Sequence, residues 1–159
     1  MDKTIIDVLV QSHIQYFKTN GAAGSVMAMD ELEIADYDFS GIEMDSVSAN
    51  FCTFTRCIFN ATDLYASEFR YAIFDGCSFL KAIFVKAVLH NATFTNCKLS
   101  GSDFTRAELI GATIVDCDFG GANFSSAQLT DSKIGHSTFV GCNIAGAAIS
   151  DNVEDDVQW

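Results

Sequence analysis

The sequence predicts an all-β solenoid, four-sided in section, with a short α-helix at its N-terminal end. Three observations predict it. Every fifth position from Ile34 to Ile149 makes 24 sites, and they hold 12 Phe, 5 Leu, 5 Ile, Met44 and Ala49. Two residues before each such site, a second series runs from Cys52 to Ala147, whose 20 positions hold 9 Ala, 6 Cys, 4 Ser and 1 Thr. Like residues also recur 20 apart, as in Cys57, Cys77, Cys97 and Cys117, in Phe54, Phe74 and Phe94, and in Phe84, Phe104 and Phe124. A helix repeats at 3.6 residues and a strand at 2, so neither sustains a strict period of five. A backbone that turns a fixed angle every five residues, and closes a ring in four such turns, does. Twenty-four sites at four per coil make six coils. Stacked as parallel strands about 4.8 Å apart, they form a rod about 29 Å long.

The elements follow in chain order. Residues 1–31 read as an N-terminal cap. Within it, residues 3–18 form an amphipathic helix with Ile6, Val10, Ile14 and Phe17 on one face, widened by Ile5, Leu9 and Tyr16. Thr19-Asn20-Gly21 is a helix stop, and residues 21–29 read as loop. A solenoid exposes apolar stacking surface at its ends, so capping is the expected role of this helix. Residues 32–151 are the solenoid. In its first coil the small slot holds Leu32, Tyr37, Ile42 and Val47, and Ala49 occupies a large-residue site, which predicts an irregular or wider coil. Residues 152–159 read as an acidic tail, in which Val153, Val157 and Trp159 are candidate contacts for a cap or a homodimer.

The stretches Ala82-Ile83-Phe84-Val85-Lys86, Ser102-Asp103-Phe104-Thr105-Arg106 and Ala122-Asn123-Phe124-Ser125-Ser126 resemble the pentapeptide repeat family, whose motif is roughly A(D/N)(L/F)xx. The resemblance covers residues 32–151. It implies a right-handed quadrilateral β-helix and a function in binding rather than catalysis. It also implies a possible type II topoisomerase partner, because relatives bind such enzymes with an acidic rod that stands in for DNA. Relatives that protect DNA gyrase often carry loops projecting from the rod; residues 52–151 contain no insertion.

Composition narrows the partners. The net charge of −12 argues against direct binding to nucleic acid or an anionic membrane. No run approaches 18 apolar residues and no signal peptide is evident, so a cytoplasmic protein is expected. The six cysteines alternate with Ala and Ser in one slot, so they read as small buried residues, free in a reducing compartment. A straight column of thiols does not converge as a tetrahedral zinc site requires. His13, His90 and His136 are scattered and read as surface residues. No catalytic, metal or cofactor site is therefore expected.

The expected function is recognition of a protein partner by the outer faces. Outward apolar residues concentrate in the coil at residues 72–91. Tyr65, Ile73, Leu80, Ile83, Val85 and Val88, rimmed by Lys86 and Arg106, form the candidate partner surface. The alternative is topoisomerase modulation through an acidic face of Glu43, Asp45, Asp63, Glu68, Asp103, Glu108 and Asp131, diluted by Arg70, Lys86 and Arg106. A secreted effector or an assembly adaptor fits the same residues.

Overall fold

A computed structural model describes residues 3–159 and shows one helix followed by a four-sided β-solenoid. Helix α1 spans Lys3–Lys18. Ile6 and Val10 are buried in the solenoid core, and Leu9 and Ile14 pack half-buried against it, so the helix caps the rod. The apolar face is narrower than the sequence suggested, because Ile5 is exposed. The helix stops where expected. Asn20 and Gly21 have φ of 50° and 81°, and the Gly21 N–H donates to the Tyr16 carbonyl at 2.8 Å. Gly24 holds the following loop against the helix; a Cβ there would overlap the Ser12 carbonyl oxygen.

One wall is a seven-stranded parallel sheet of β1 (Glu33–Ala35), β2 (Thr53–Thr55), β3 (Ile73–Asp75), β4 (Thr93–Thr95), β5 (Thr113–Val115), β7 (Lys133–Gly135) and β9 (Val153–Asp155). Its register pairs Ile34 with Phe54, Phe54 with Phe74 and Phe74 with Phe94, each 20 residues on. On a second wall, β6 (Gln128–Thr130) pairs with β8 (Ala148–Ser150). Single parallel bridges, again 20 residues apart, continue the ladder around the other sides.

The corners explain why the strands are so short. Every fifth residue from Glu31 to Asp156 has positive φ. At many corners the carbonyl of the large residue accepts from the N–H three residues on, as between Phe79 and Ala82 at 3.0 Å. A left-handed residue at the third position of such a turn reverses the chain toward the next wall. Many of these positions are not glycine. Their cost of about 1–2 kcal/mol each is offset by the next rung. The N–H of the same corner residue donates to the coil above, as from Lys86 to the Thr105 carbonyl at 3.0 Å.

The interior is solid. Twelve Phe are fully buried. Within a column their rings stack parallel at a distance set by the rung spacing. Phe59 lies 4.7 Å from Phe39 and 4.8 Å from Phe79, and Phe104 lies 4.7 Å from Phe84 and 4.9 Å from Phe124. Between neighbouring columns rings meet edge to face, as Phe74 and Phe79 do at 5.2 Å and 85°, the arrangement that the ring quadrupole favours. The small residues Cys52, Ala72, Ala82, Ala92 and Ala112 fill the space inside the corners, fully buried.

The ladder runs past both boundaries read from the sequence. At the start, Ala28 bridges to Ser48, and Met27 and Met29 are buried in the small and large slots, so the coil begins inside the stretch read as loop. The first coil keeps the 20-residue register and is not irregular. Its bulky small-slot residues face the cap, where the Tyr37 hydroxyl donates to Asp7 at 2.6 Å. At the other end, residues 152–159 continue the solenoid instead of forming a tail. Strand β9 pairs with β7, Gln158 bridges to Thr138, and Trp159 stacks on Phe139 at 4.5 Å. Trp159 falls on the same five-residue beat as Phe139. Glu154 interrupts the apolar series before it and hides the continuation.

Candidate partner-binding faces

Because the interior is filled, chemistry is confined to the outer columns and the corners. The third side of the rod carries the most distinctive set. Its inward residues are Met44, Leu64, Phe84, Phe104 and Phe124. One outward column runs Glu43, Asp63, Ile83, Asp103, Asn123 and Asn143, joined by parallel bridges. Beside it stand Asp45, Tyr65, Val85 and Thr105, and Lys86 and Arg106 follow at the adjoining corner, each at φ near 58°. The Lys86 ammonium donates to the Tyr65 hydroxyl at 2.7 Å and lies 5.1 Å from its ring centroid.

Of the predicted partner surface, this side gathers Tyr65, Ile83, Val85, Lys86 and Arg106. Ile73, Leu80 and Val88 lie on the other three sides, because one coil wraps the whole rod and an apolar coil makes a belt. Ile83 and Tyr65 are exposed, while Val85 and Val88 are half-buried.

The predicted acidic face is also divided. Glu43, Asp63 and Asp103 share one column, broken by Ile83. Asp63 accepts from the Tyr65 N–H at 2.9 Å, and Asp103 accepts from the Thr105 N–H at 2.9 Å and its hydroxyl at 2.6 Å, so both carboxylates brace their own turns. Glu68 and Glu108 stand one side further round, each beside a partner side chain. Arg70 meets Glu68 at 2.6 Å and His90 meets Glu108 at 2.7 Å. Asp131 sits at a corner away from both columns.

The ends differ from the tail expected. Val157 is half-buried against the core and Trp159 extends the aromatic column, its indole N–H donating to Glu154 at 3.0 Å. Of the three candidate contacts, Val153 on the outside of β9 is the most exposed, and Trp159 also keeps 44% of its surface open. An exposed aromatic pair escaped the sequence reading. Phe51 and Tyr71 stack at 5.0 Å on successive corners. Their signal was available, since Phe51 is one of only two Phe off the five-residue beat.

His13 is not a surface residue. It is buried under the helix, where Nδ1 accepts from the Met27 N–H at 3.0 Å and Nε2 finds no hydrogen-bond partner. Burial lowers its pKa, against opposing pulls from Asp45 and Glu43. The cysteines are free, and all but Cys142 are buried. Burial pushes Cys52 up to about 11, which keeps it a neutral thiol. Among the described residues no group of three or more His, Cys, Asp or Glu is placed to hold a metal ion. No helix among them is long and apolar enough to cross a membrane.

Comparison with known proteins agrees with this architecture. A profile of the pentapeptide repeat region matches residues 47–117, and one of eight pentapeptide repeat copies matches residues 102–139. No curated protein matches the sequence. The structure is similar to trypsin-treated QnrB1, a plasmid-mediated fluoroquinolone resistance protein, with a TM-score of 0.58 and 18% identity over 82% of this chain and 72% of that one. It is also similar to a pentapeptide repeat protein of the Arabidopsis thaliana thylakoid lumen, with a TM-score of 0.50 and 24% identity over 65% of this chain and 69% of that one. At these identities the likeness carries the fold alone. The five-residue beat, the four-sided ladder and the two profiles, which together span residues 47–139, place the chain in the pentapeptide repeat family.

Proposed function

We propose that the chain is a non-enzymatic, cytoplasmic binding rod that recognises a protein partner through its third side. The observation that carries this reading is the apolar break at Ile83, Tyr65 and Val85 in an otherwise polar wall, rimmed by Lys86 and Arg106. The rod is preorganised, so binding there sacrifices little conformational entropy. The neighbouring acids disfavour anionic partners and suit a basic one.

The second reading is DNA mimicry toward a type II topoisomerase, supported by the Glu43–Asp63–Asp103 column and the net charge of −12. One double variant separates the two. Ile83→Asp places in this column the residue type it already holds at Asp63 and Asp103, so the coil tolerates it. Combined with Val85→Asp, it removes the apolar patch and completes the acidic column. On the first reading, a protein captured from host lysate by the native rod is lost with the double variant, while the melting temperature is unchanged. On the second, the double variant acts more strongly on gyrase supercoiling, and charge reversal at Asp63, Asp103 and Glu108 abolishes the effect. Retention of the same captured protein by the double variant rejects the first reading. Absence of any effect of the native rod on supercoiling at micromolar concentration rejects the second.

A further inference from the structure

Four cysteines form one column inside a single corner of the rod. The Lys98, Asp118 and Thr138 N–H groups donate to the Cys77, Cys97 and Cys117 carbonyls, each at 3.0 Å, which holds the rungs in register. The 20-residue register sets the four side chains one above the next, and each thiol lies beside a backbone carbonyl. Ser137 ends the column, its hydroxyl oxygen accepting from the Cys117 N–H at 3.1 Å.

The column is not uniform. Cys57, Cys77 and Cys97 each also lie near the carbonyl of a large residue in the coil below, at 3.4–3.6 Å. The Cys117 thiol donates instead to the Val115 carbonyl of its own coil, at 3.2 Å. Over this end of the column the wall opens into a groove of about 640 Å³, whose lining includes Cys97, Cys117, Ser137, Lys98, Asp118 and His136. The lower thiols Cys57 and Cys77 do not line it.

The geometry points to Cys97 and Cys117 as a two-sulfur site for a soft monovalent cation of the copper(I) class, entered through the groove. Thiolates select soft ions. A straight row of sulfurs cannot surround a tetrahedral ion, but a two-coordinate ion needs only two sulfurs in line. With metal–thiolate bonds of about 2.3 Å, as for zinc, a linear S–M–S unit spans about 4.6 Å. That matches the rung spacing of about 4.8 Å, so the ion fits between the thiols of successive rungs without spreading the coils. Two S–H bonds break, two S–Cu bonds form, two protons leave, and no electron is transferred. The bound unit carries one negative charge, which the Lys98 ammonium at the groove offsets.

The test is an anaerobic titration of the full chain with copper(I). The expected result is saturation of near-ultraviolet sulfur-to-copper absorption at one ion per chain, with two protons released per ion in weak buffer. Cys97→Ser and Cys117→Ser should each weaken binding at least tenfold. Cys52→Ser and Cys142→Ser, at other corners, should leave it unchanged. Serine already occupies this slot at Ser102, Ser132 and Ser137, so the variants fold, and unchanged circular dichroism checks that they do. No saturable uptake overturns the inference. So does undiminished uptake by the Cys97→Ser, Cys117→Ser double variant, or uptake lost with Cys142→Ser instead. The outcome is independent of the partner-binding reading, which no copper measurement touches.

Discussion

Phe74 shows what the five-residue beat demands of one side chain. Its ring stacks on Phe54 at 5.1 Å and on Phe94 at 4.9 Å, and meets Phe79 edge-on at 5.2 Å. A rigid ladder hydrogen-bonded above and below cannot collapse into the gap that truncation leaves. Phe74→Ala is therefore expected to cost about 3–5 kcal/mol. Phe51 makes the opposite case. It is 57% exposed and its ring stacks only on Tyr71, so Phe51→Ala should cost about 1 kcal/mol or less. Urea unfolding of the two variants checks the contrast, and equal losses would mean that the lumen relaxes freely. Single residues were legible in the sequence where packing alone chooses them: the Phe, Ala and Cys slots all fall where the period puts them. The corners were not. The left-handed position is filled by Arg56, Ala61, Ala66, Tyr71 and Lys81 as well as by glycine, because the ladder and not the residue's own preference enforces the conformation.

Helix α1 joins the rod through one polar seam and one apolar one. Ile6 and Val10 bury against the first coil, Asp7 accepts from Tyr37, and His13 accepts from the Met27 N–H. The polar seam was not legible in the sequence, since a histidine on an amphipathic helix looks like a surface residue until the chain that folds over it is known. That burial has a pH consequence. The buried His13 has a depressed pKa, so the folded protein prefers the neutral ring while the unfolded chain binds a proton near pH 6.5. The contribution to stability is fully present above that pH and is lost as the pH falls from about 6.5 through the lower folded value. Asp45 and Glu43 face the ring and soften the loss without reversing it. Hydrogen exchange should show the α1 amides opening earlier at pH 5 than at pH 7.5, while the amides of β3 and β4 stay protected. In His13→Asn the side-chain oxygen still accepts from Met27 but cannot titrate, and the pH dependence of the helix amides should vanish. If it persists in that variant, another group controls the cap.

At the scale of the whole molecule the architecture was legible and the working surface was not, for one physical reason. The period reports what points inward, because the lumen tolerates few residue types. The outer columns obey no such limit, so their order around the rod emerges only once four sides are wound; that winding separated Ile73, Leu80 and Val88 from Ile83. It also distributes charge. The chain carries 21 acids against 9 bases. The short ion pairs Arg56–Asp36 and Arg70–Glu68 are open to solvent, and exposed pairs contribute little to stability. Repulsion among the excess acids acts over a longer range. At 0.01 M salt the screening length is about 30 Å, comparable to the rod itself, and at 1 M it is about 3 Å. Added salt therefore relieves repulsion along the whole rod while weakening only a few contacts that contribute little. The melting temperature should rise between 10 mM and 500 mM sodium chloride, and substituting Arg56 by Gln should leave that slope almost unchanged. A melting temperature that falls with salt would mean that the ion pairs outweigh the net charge. Affinity for a basic protein partner should move the other way, weakening across the same range, because the field that destabilises the isolated rod is the one that attracts a cation-rich surface.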